Sequence, residues 1–405
     1  MSLFSFQKSP ERIGAIIDIG SGSVLTAIVA SNPNAESPTI IWSNREHAPL
    51  RNIDSLDQSA KSIMTALVNG LLKFEVEGRR ALCEYSRNGT VSEIQCCISA
   101  PWSYTVTKTI EYKEDEPFEV TKSLIEELVE SALKKTQVEL NENEAMNQLG
   151  LTVITRSTVD LLTNGYRVKN PIGEKVSDIA LSHVSVVTQK YLVDHINELR
   201  HKIFANTPIH KLSYMLALYS VSQEIVPEQH EICLVDVTYE ATEIGIVRDG
   251  SLKYSTHTPF GAFSLAREIA DITSMPLYEA FQYLHGSDPL AFTQNLPAGQ
   301  KDDVAAVIEA YTERVAELFH ETGDELSIPR RIYLHTDLHS EPFFAQIMVA
   351  AGTRALKTAP EVKLITPMIL DRVNRVAGNQ NSDTAMLVSA MFFHTQNIRQ
   401  SFEYL

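Results

Sequence analysis

Residues 12 to 30 read RIGAIIDIGSGSVLTAIVA, and the fold turns on how they are understood. Ile13 to Ile19 and Val24 to Val29 are β-branched runs suited to buried strands. Between them, Gly20, Ser21, Gly22 and Ser23 let backbone amides and hydroxyls come close to an anion. Asp18 stands just before that turn. Its carboxylate would repel a phosphate unless a cation lay between them, and a Mg²⁺ ion held through water suits that place. The stretch is therefore a phosphate-binding hairpin or an ordinary buried one, and a second copy elsewhere would decide between them.

The second copy is EICLVDVTYEATEIGIVRDGSLKYSTHTPFGA, residues 231 to 262. An apolar strand, Ile232 to Val237, carries Asp236 near its end. A small or polar turn with Thr238 follows, then an alternating strand from Thr242, a tight hairpin at Arg248, Asp249 and Gly250, a return strand, and a turn containing Gly261. Two copies of strand, Asp, turn, strand imply two similar halves facing one ligand. The candidate phosphate residues read from the two turns are Asp18, Gly20, Ser21, Gly22, Ser23 and Asp236, with Asp18 and Asp236 as water-mediated Mg²⁺ ligands.

The remaining composition narrows the function classes. A chain of 405 residues with 44% hydrophobic content can bury the cores of two or more compact units. The 51 acidic against 35 basic residues give a formal charge of -16, which disfavours tracking nucleic acid or adsorbing to anionic lipid. The segment MSLFSFQKSPER lacks a signal-peptide core, and no apolar run approaches the roughly 20 residues needed to span a bilayer, so a cytoplasmic location is expected. Cys83, Cys96, Cys97 and Cys233 form no paired C-x-x-C motif and read as reduced thiols, with Cys96 and Cys97 on opposite faces of a strand.

Along the chain, Thr39 to Ser43 extends the first hairpin into a meander. Helical spacing follows from Ser55 to Lys73, and strand returns at Ile94 to Ser99. From about 92 to 187 the character changes: TVTKTIEY, an acidic turn at Glu114 to Pro117, a helix capped by Thr121, and two further strand-like segments. This block reads as a small inserted α+β lobe. The expected division is 1–91 first half, 92–187 insert, 188–228 first half again, 229–271 second half, 272–325 helical subdomain, 326–364 second half, and 365–405 a return to the first half. The apolar helix near 384–393 reads as core.

With both hairpins in place, the sequence resembles the actin-like ATPases: DIGSGSV at 18–24 is similar to their phosphate 1 motif, and Asp236 with Thr242 and Glu243 to phosphate 2. Within that superfamily the chain resembles the FtsA family of bacterial division proteins, and more distantly PilM of type IV pilus machinery, on NGYRVKNPIGEKVSDIALSHVSVVT at 164–188 and VRDGSLKYSTHTPFGAFSLAREIA at 247–270. The resemblance implies an α/β fold of two actin-like, ribonuclease H-like halves round a nucleotide cleft, with an insert of the FtsA 1C (SHS2) type and ATP/Mg as ligand. It also implies Thr238, Thr242 and Gly261 as phosphate-side residues beside those read from the turns.

The departures point away from turnover. Thr238, Tyr239 and Glu240 stand where the family has glycines, and the adenosine-side segment, HTDLHSEP at 335–342, has none. A unit charge such as that of Glu240 near a phosphate costs about 4 kcal/mol at 4 Å and an effective dielectric of 20. His335 and His339 are four apart, but Pro342 and the preceding strand argue against a helical metal site. The expectation is an FtsA-like scaffold, at most a weak ATPase, that assembles into filaments or tethers to the inner face of the membrane through a protein partner. That partner would be the tubulin-like division protein or a membrane protein's cytoplasmic peptide. The alternatives are a PilM-like pilus platform and, from another class, an active small-molecule kinase of the same fold.

Overall fold

The computed structural model describes residues 11–49, 56–142, 150–168, 170–205, 207–286, 288–322, 327–337, 340–376 and 383–398. Three sheets organise them. In the first, β1 (Arg12–Ile19), β2 (Ser23–Ser31) and β3 (Thr39–His47) form an antiparallel meander, and β4 (Glu93–Ile98) and β9 (Ile209–Ser213) continue it in parallel beyond β1. In the second, β10 (Ile232–Val237), β11 (Thr242–Arg248) and β12 (Ser251–Thr258) form a like meander, which β13 (Arg331–Thr336) and β14 (Glu361–Leu364) continue in parallel. The two sheets share one plan, and Asp18 and Asp236 are each the penultimate residue of the equivalent strand. Both first strands are buried on both faces, as strands covered by helices must be.

The third sheet is the inserted lobe: β5 (Ser103–Glu119), β6 (Leu151–Thr163), β7 (Tyr166–Arg167) and β8 (Lys175–Gln189), ordered β5-β8-β6-β7 and packed against the helix Lys122–Glu142 through Ile125, Leu128 and Ala132. This lobe begins at Ser103, not at 92. Ile94, Cys96 and Ile98 are buried in the first sheet, so β4 belongs there. Glu114 to Pro117, expected as a turn, form an exposed bulge inside β5, between the paired residues Lys113 and Phe118.

Two helices join the halves. Tyr214–Ile225, capped by Ser213, whose hydroxyl accepts from the Leu216 amide at 3.1 Å, and Thr384–Ile398 share a core with Ile16 and Leu25 of the first sheet and Leu234 and Val247 of the second. The terminal apolar helix is thus core, as expected. The stretch 272–325 contributes helices whose Phe281, Tyr311 and Phe319 enter the core of the second sheet. Cys96 and Cys97 enter different cores, and all four thiols are free. Among the described residues, no helix is long and apolar enough to cross a membrane.

Candidate nucleotide cleft

The two Asp-ending strands bring their turns into direct contact. Ser21 donates its hydroxyl to Thr238 Oγ1 at 2.8 Å, and the Glu240 amide donates to Ser21 Oγ at 2.9 Å. Gly22 lies flat against the Tyr239 ring: a Cβ there would stand 2.3 Å from its Cγ and Cδ1. Tyr239 is 2% exposed, packs beside Phe263 and Phe281, and its hydroxyl meets His47 Nδ1 at 3.1 Å. The two turns are thus in direct contact through Ser21, Thr238 and the Tyr239 ring.

Three of the amides that would greet a phosphate are also committed. Gly20 N–H bonds to Ser23 O at 3.0 Å. The first amides of the helix Ala262–Thr273, a natural anion site, instead donate to carbonyls of the second turn, Ala262 to Thr238 at 2.9 Å and Phe263 to Tyr239 at 2.8 Å. Gly261 permits that approach, because a Cβ there would lie 2.3 Å from Thr238 O. Thr242 faces the second half's own core, donating to Phe260 O at 2.8 Å and meeting Tyr311 OH at 2.6 Å. Glu243 accepts from Ser255 at 3.0 Å, and burial pushes its carboxyl far up.

Charge is balanced from within. Asp236 is fully buried against His335, whose Nδ1 lies 2.7 Å from Asp236 Oδ1. Burial opposes charging this imidazole, but the hydrogen bond and charge of Asp236 outweigh it, and the pKa rises to about 9. Arg45 forms a fork on Asp383, Nε to Oδ2 at 2.5 Å and Nη2 to Oδ1 at 2.8 Å, and its Nη1 donates to Ser23. Burial works against this guanidinium, but Asp383, Asp337 and Asp18 hold it charged. Burial likewise pushes Asp383 up, but Arg45 and the Met386 amide draw it below the usual range. Asp18 rises to about 8 through burial, with Arg45 pulling it down and Asp337, Asp383 and Asp236 pushing it up. Asp337 rises to about 6 for the same first reason. It also faces the first turn, with Oδ2 at 3.9 Å from where a Cβ on Gly20 would sit. Glu240 turns away onto Arg267 at 2.7 and 2.8 Å, so its expected repulsion of a phosphate is absorbed by a neighbour.

Mg-ATP does not fit these contacts. Of the carboxylates meant for the ion's water shell, Asp236 has His335 as its partner, Asp18 accepts from the Ser389 hydroxyl at 3.4 Å, and an additional carboxylate, Asp337, overlooks the glycine turn. Among the described residues no three acidic, imidazole or thiol groups converge as a metal cluster. His339 lies outside the described residues, and His335 is a strand residue paired with Asp236. The structure gathers Asp18, Ser21, Gly22, Ser23, Asp236, Thr238 and Gly261 round one seam, while Thr242 points elsewhere. Sequence reading missed Arg45 and Asp383; the latter carries one signal, an Asp just ahead of the last helix, where its Oδ1 accepts from the Met386 amide.

No family model and no curated protein sequence matches the chain. Among solved structures it is similar to the PilM-PilN type IV pilus biogenesis complex, with a TM-score of 0.60 and 11% identity, covering 96% of this chain and 99% of that one. The fold is the actin-like one. Lesser likenesses are to the ethanolamine utilization protein EutJ from Carboxydothermus hydrogenoformans (TM-score 0.43, 12% identity, 95% and 92% covered) and to a Bacteroides thetaiotaomicron protein with an actin-like ATPase fold (0.41, 10%, 97% and 99%). The sequence resemblance put FtsA before PilM, whereas the structural likeness at the higher TM-score is to PilM.

Proposed function

We propose that this protein is a nucleotide-independent scaffold of the actin-like fold, working as a PilM-like cytoplasmic platform that holds the cytoplasmic peptide of a membrane protein. The observation that carries this reading is the closed seam, in which Ser21 bonds to Thr238 and Tyr239 fills the space over Gly22. Contacts between the two turns that would otherwise face a nucleotide support a binding role rather than turnover. The PilM likeness over nearly the whole of both chains supports a protein partner, and the net charge of -16 supports reaching the membrane through that partner rather than through anionic lipid. The degenerate second turn speaks equally against a small-molecule kinase.

The test has two arms. Calorimetry with Mg-ATP and a phosphate-release assay are expected to show neither tight binding nor steady hydrolysis. Titration with the cytoplasmic peptides of candidate membrane-protein partners is expected to show saturable binding to one of them. Hydrolysis abolished by Asp18→Ala would overturn the scaffold reading, and co-sedimentation with a tubulin-like division protein instead of peptide binding would replace the pilus assignment with the division one.

A further inference from the structure

We propose that the outer face of the long helix beside the first sheet is a dimerisation surface, on which a second copy of this chain packs its own helix antiparallel about a two-fold axis at Leu72. The inference goes beyond the scaffold reading and stands without it, since it uses none of the cleft residues.

The helix Leu56–Lys73 runs on through the π-turn Phe74–Gly78 into the helix Arg79–Tyr85. Its inner face packs into the core of the first sheet through Ile63, Leu67, Leu71 and Phe74. The outer face is apolar as well, and the fold makes no use of it. Val68, Leu72 and Val76 are 39%, 57% and 72% exposed and stand four residues apart, so they form one row. Among the described residues ten large hydrophobic side chains are exposed, and with Tyr85 four of them are on this helix, which makes the row a patch rather than the scatter that every surface carries.

The charge and the spacing of the row both fit a second copy. Residues 56–85 carry four acidic and four basic side chains, whereas the whole chain has a formal charge of -16, so copies that repel elsewhere meet here without net repulsion. A two-fold interface sets residue i against j and j against i. With Leu72 on the axis, Val68 of one copy meets Val76 of the other. Lys61 precedes Leu72 by three α-helical turns and is therefore on the same face. Glu84 follows Leu72 by one residue more than three turns, but the π-turn, in which the Arg79 amide donates to Phe74 O, takes up that extra residue. Both side chains are exposed, and the antiparallel pair sets Lys61 of each copy against Glu84 of the other. A parallel pair would set like charges together at each end. A row made for a lipid surface would carry basic flanks, whereas this one ends in one charge of each sign.

Analytical ultracentrifugation of the full chain over a concentration series tests this. Wild type is expected to show a monomer–dimer equilibrium with a dissociation constant on the order of 10 µM, the weak association that a small interface gives. Leu72→Glu should weaken it roughly tenfold or more, because two like charges then face each other on the axis, while its melting midpoint stays that of wild type. Lys61→Glu should weaken it a few-fold and Lys61→Glu/Glu84→Lys should restore it, which separates the antiparallel register from a general apolar contact. In a Cys83→Ser background, Leu72→Cys should form a covalent dimer under mild oxidant, and Val349→Cys, exposed on another helix, should not. If Leu72→Glu melts early, this pair of cysteine variants decides. A wild type that stays monomeric into the hundreds of micromolar overturns the proposal, as does a dimer indifferent to Leu72→Glu or one that Leu72→Cys fails to cross-link. Flotation of a monomeric wild type with anionic vesicles, lost in Leu72→Glu, overturns it too and assigns the row to a membrane.

Discussion

Ser21 and Thr238, 217 residues apart, share a 2.8 Å hydrogen bond between their hydroxyls. Each belongs to a turn following an Asp-ending strand, so the bond joins the two turns that the actin-like plan sets on opposite sides of a nucleotide. Tyr239 and Glu240 set the outcome on either side of it, the ring packed inward on Gly22 and the carboxylate drawn outward to Arg267.

The inward ring makes Gly22 sensitive to any side chain. Gly22→Ala is expected to cost about 1 to 3 kcal/mol, the range for forcing atoms into a filled core. Because the collision is with Tyr239, the cost should shrink in a Gly22→Ala/Tyr239→Ala background relative to Tyr239→Ala alone. A double-mutant cycle by urea denaturation checks this, and strictly additive costs would show that the ring is not what fills the space.

The outward carboxylate makes a different prediction. Glu240→Gly should not create Mg-ATP binding, because Tyr239, Arg45 and Asp337 remain in place, and it should lower stability by removing the fork on Arg267. Calorimetry settles the first point. Tight ATP binding in this single variant would mean that Glu240, and not the ring, keeps the cleft shut.

Asp383→Asn removes one charge of a buried pair while keeping an oxygen to cap the last helix. The expected loss is about 3 to 5 kcal/mol, since the Arg45 charge is left without its fork. Denaturant midpoints of the variant and wild type measure it. A change below 1 kcal/mol, of the size usual for exposed pairs, would show the pair to be solvated.

His183, in β8 of the inserted lobe, gives a pH prediction. Its ring is 4% exposed, stands opposite Lys108 and Thr158 in the ladders, and has Nδ1 3.4 Å from Thr158 Oγ1. Burial and then the charge of Arg156 lower its pKa from 6.5 to about 4. The folded protein therefore resists protonating it: its contribution to stability is present above 6.5 and is lost as pH falls toward 4. At 1.36 kcal/mol per unit that is about 3 kcal/mol. The difference in unfolding free energy between wild type and His183→Gln should shift by about that amount from pH 7 to 4 in favour of the variant, and a difference that stays flat would contradict the assignment.

How much of this could be read from the chain depends on distance. The strands β1, β2, β10 and β11 were legible because buried β-branched runs flanking a small turn leave few other readings. The lobe's start was misplaced because β4 looks like any apolar strand; only its pairing with β1 assigns it. The departures at 238–240 were visible, but their directions were not, since Tyr239 answers to Gly22 and Glu240 to Arg267. Arg45 was hidden altogether. It sits in the polar run SNREH at the end of β3, where alternation suggests a solvent-facing edge, and its partner Asp383 lies 338 positions away.

The inserted lobe also reaches the second half. Asp160, buried in β6, pairs with Arg167 of its own hairpin at 2.7 Å and with Lys253 of β12 at 3.5 Å, and Arg167 donates to Asp249 O at 2.6 Å. The two halves are thus joined at the seam, through the shared helices, and again through this strut, which makes the molecule a triangulated frame. A hinge has one free angle, and a triangle with fixed sides has none. Rigid-body opening of the halves would require the Ser21–Thr238 bond, the packing of the shared helices and the Asp160–Lys253 pair to give way together.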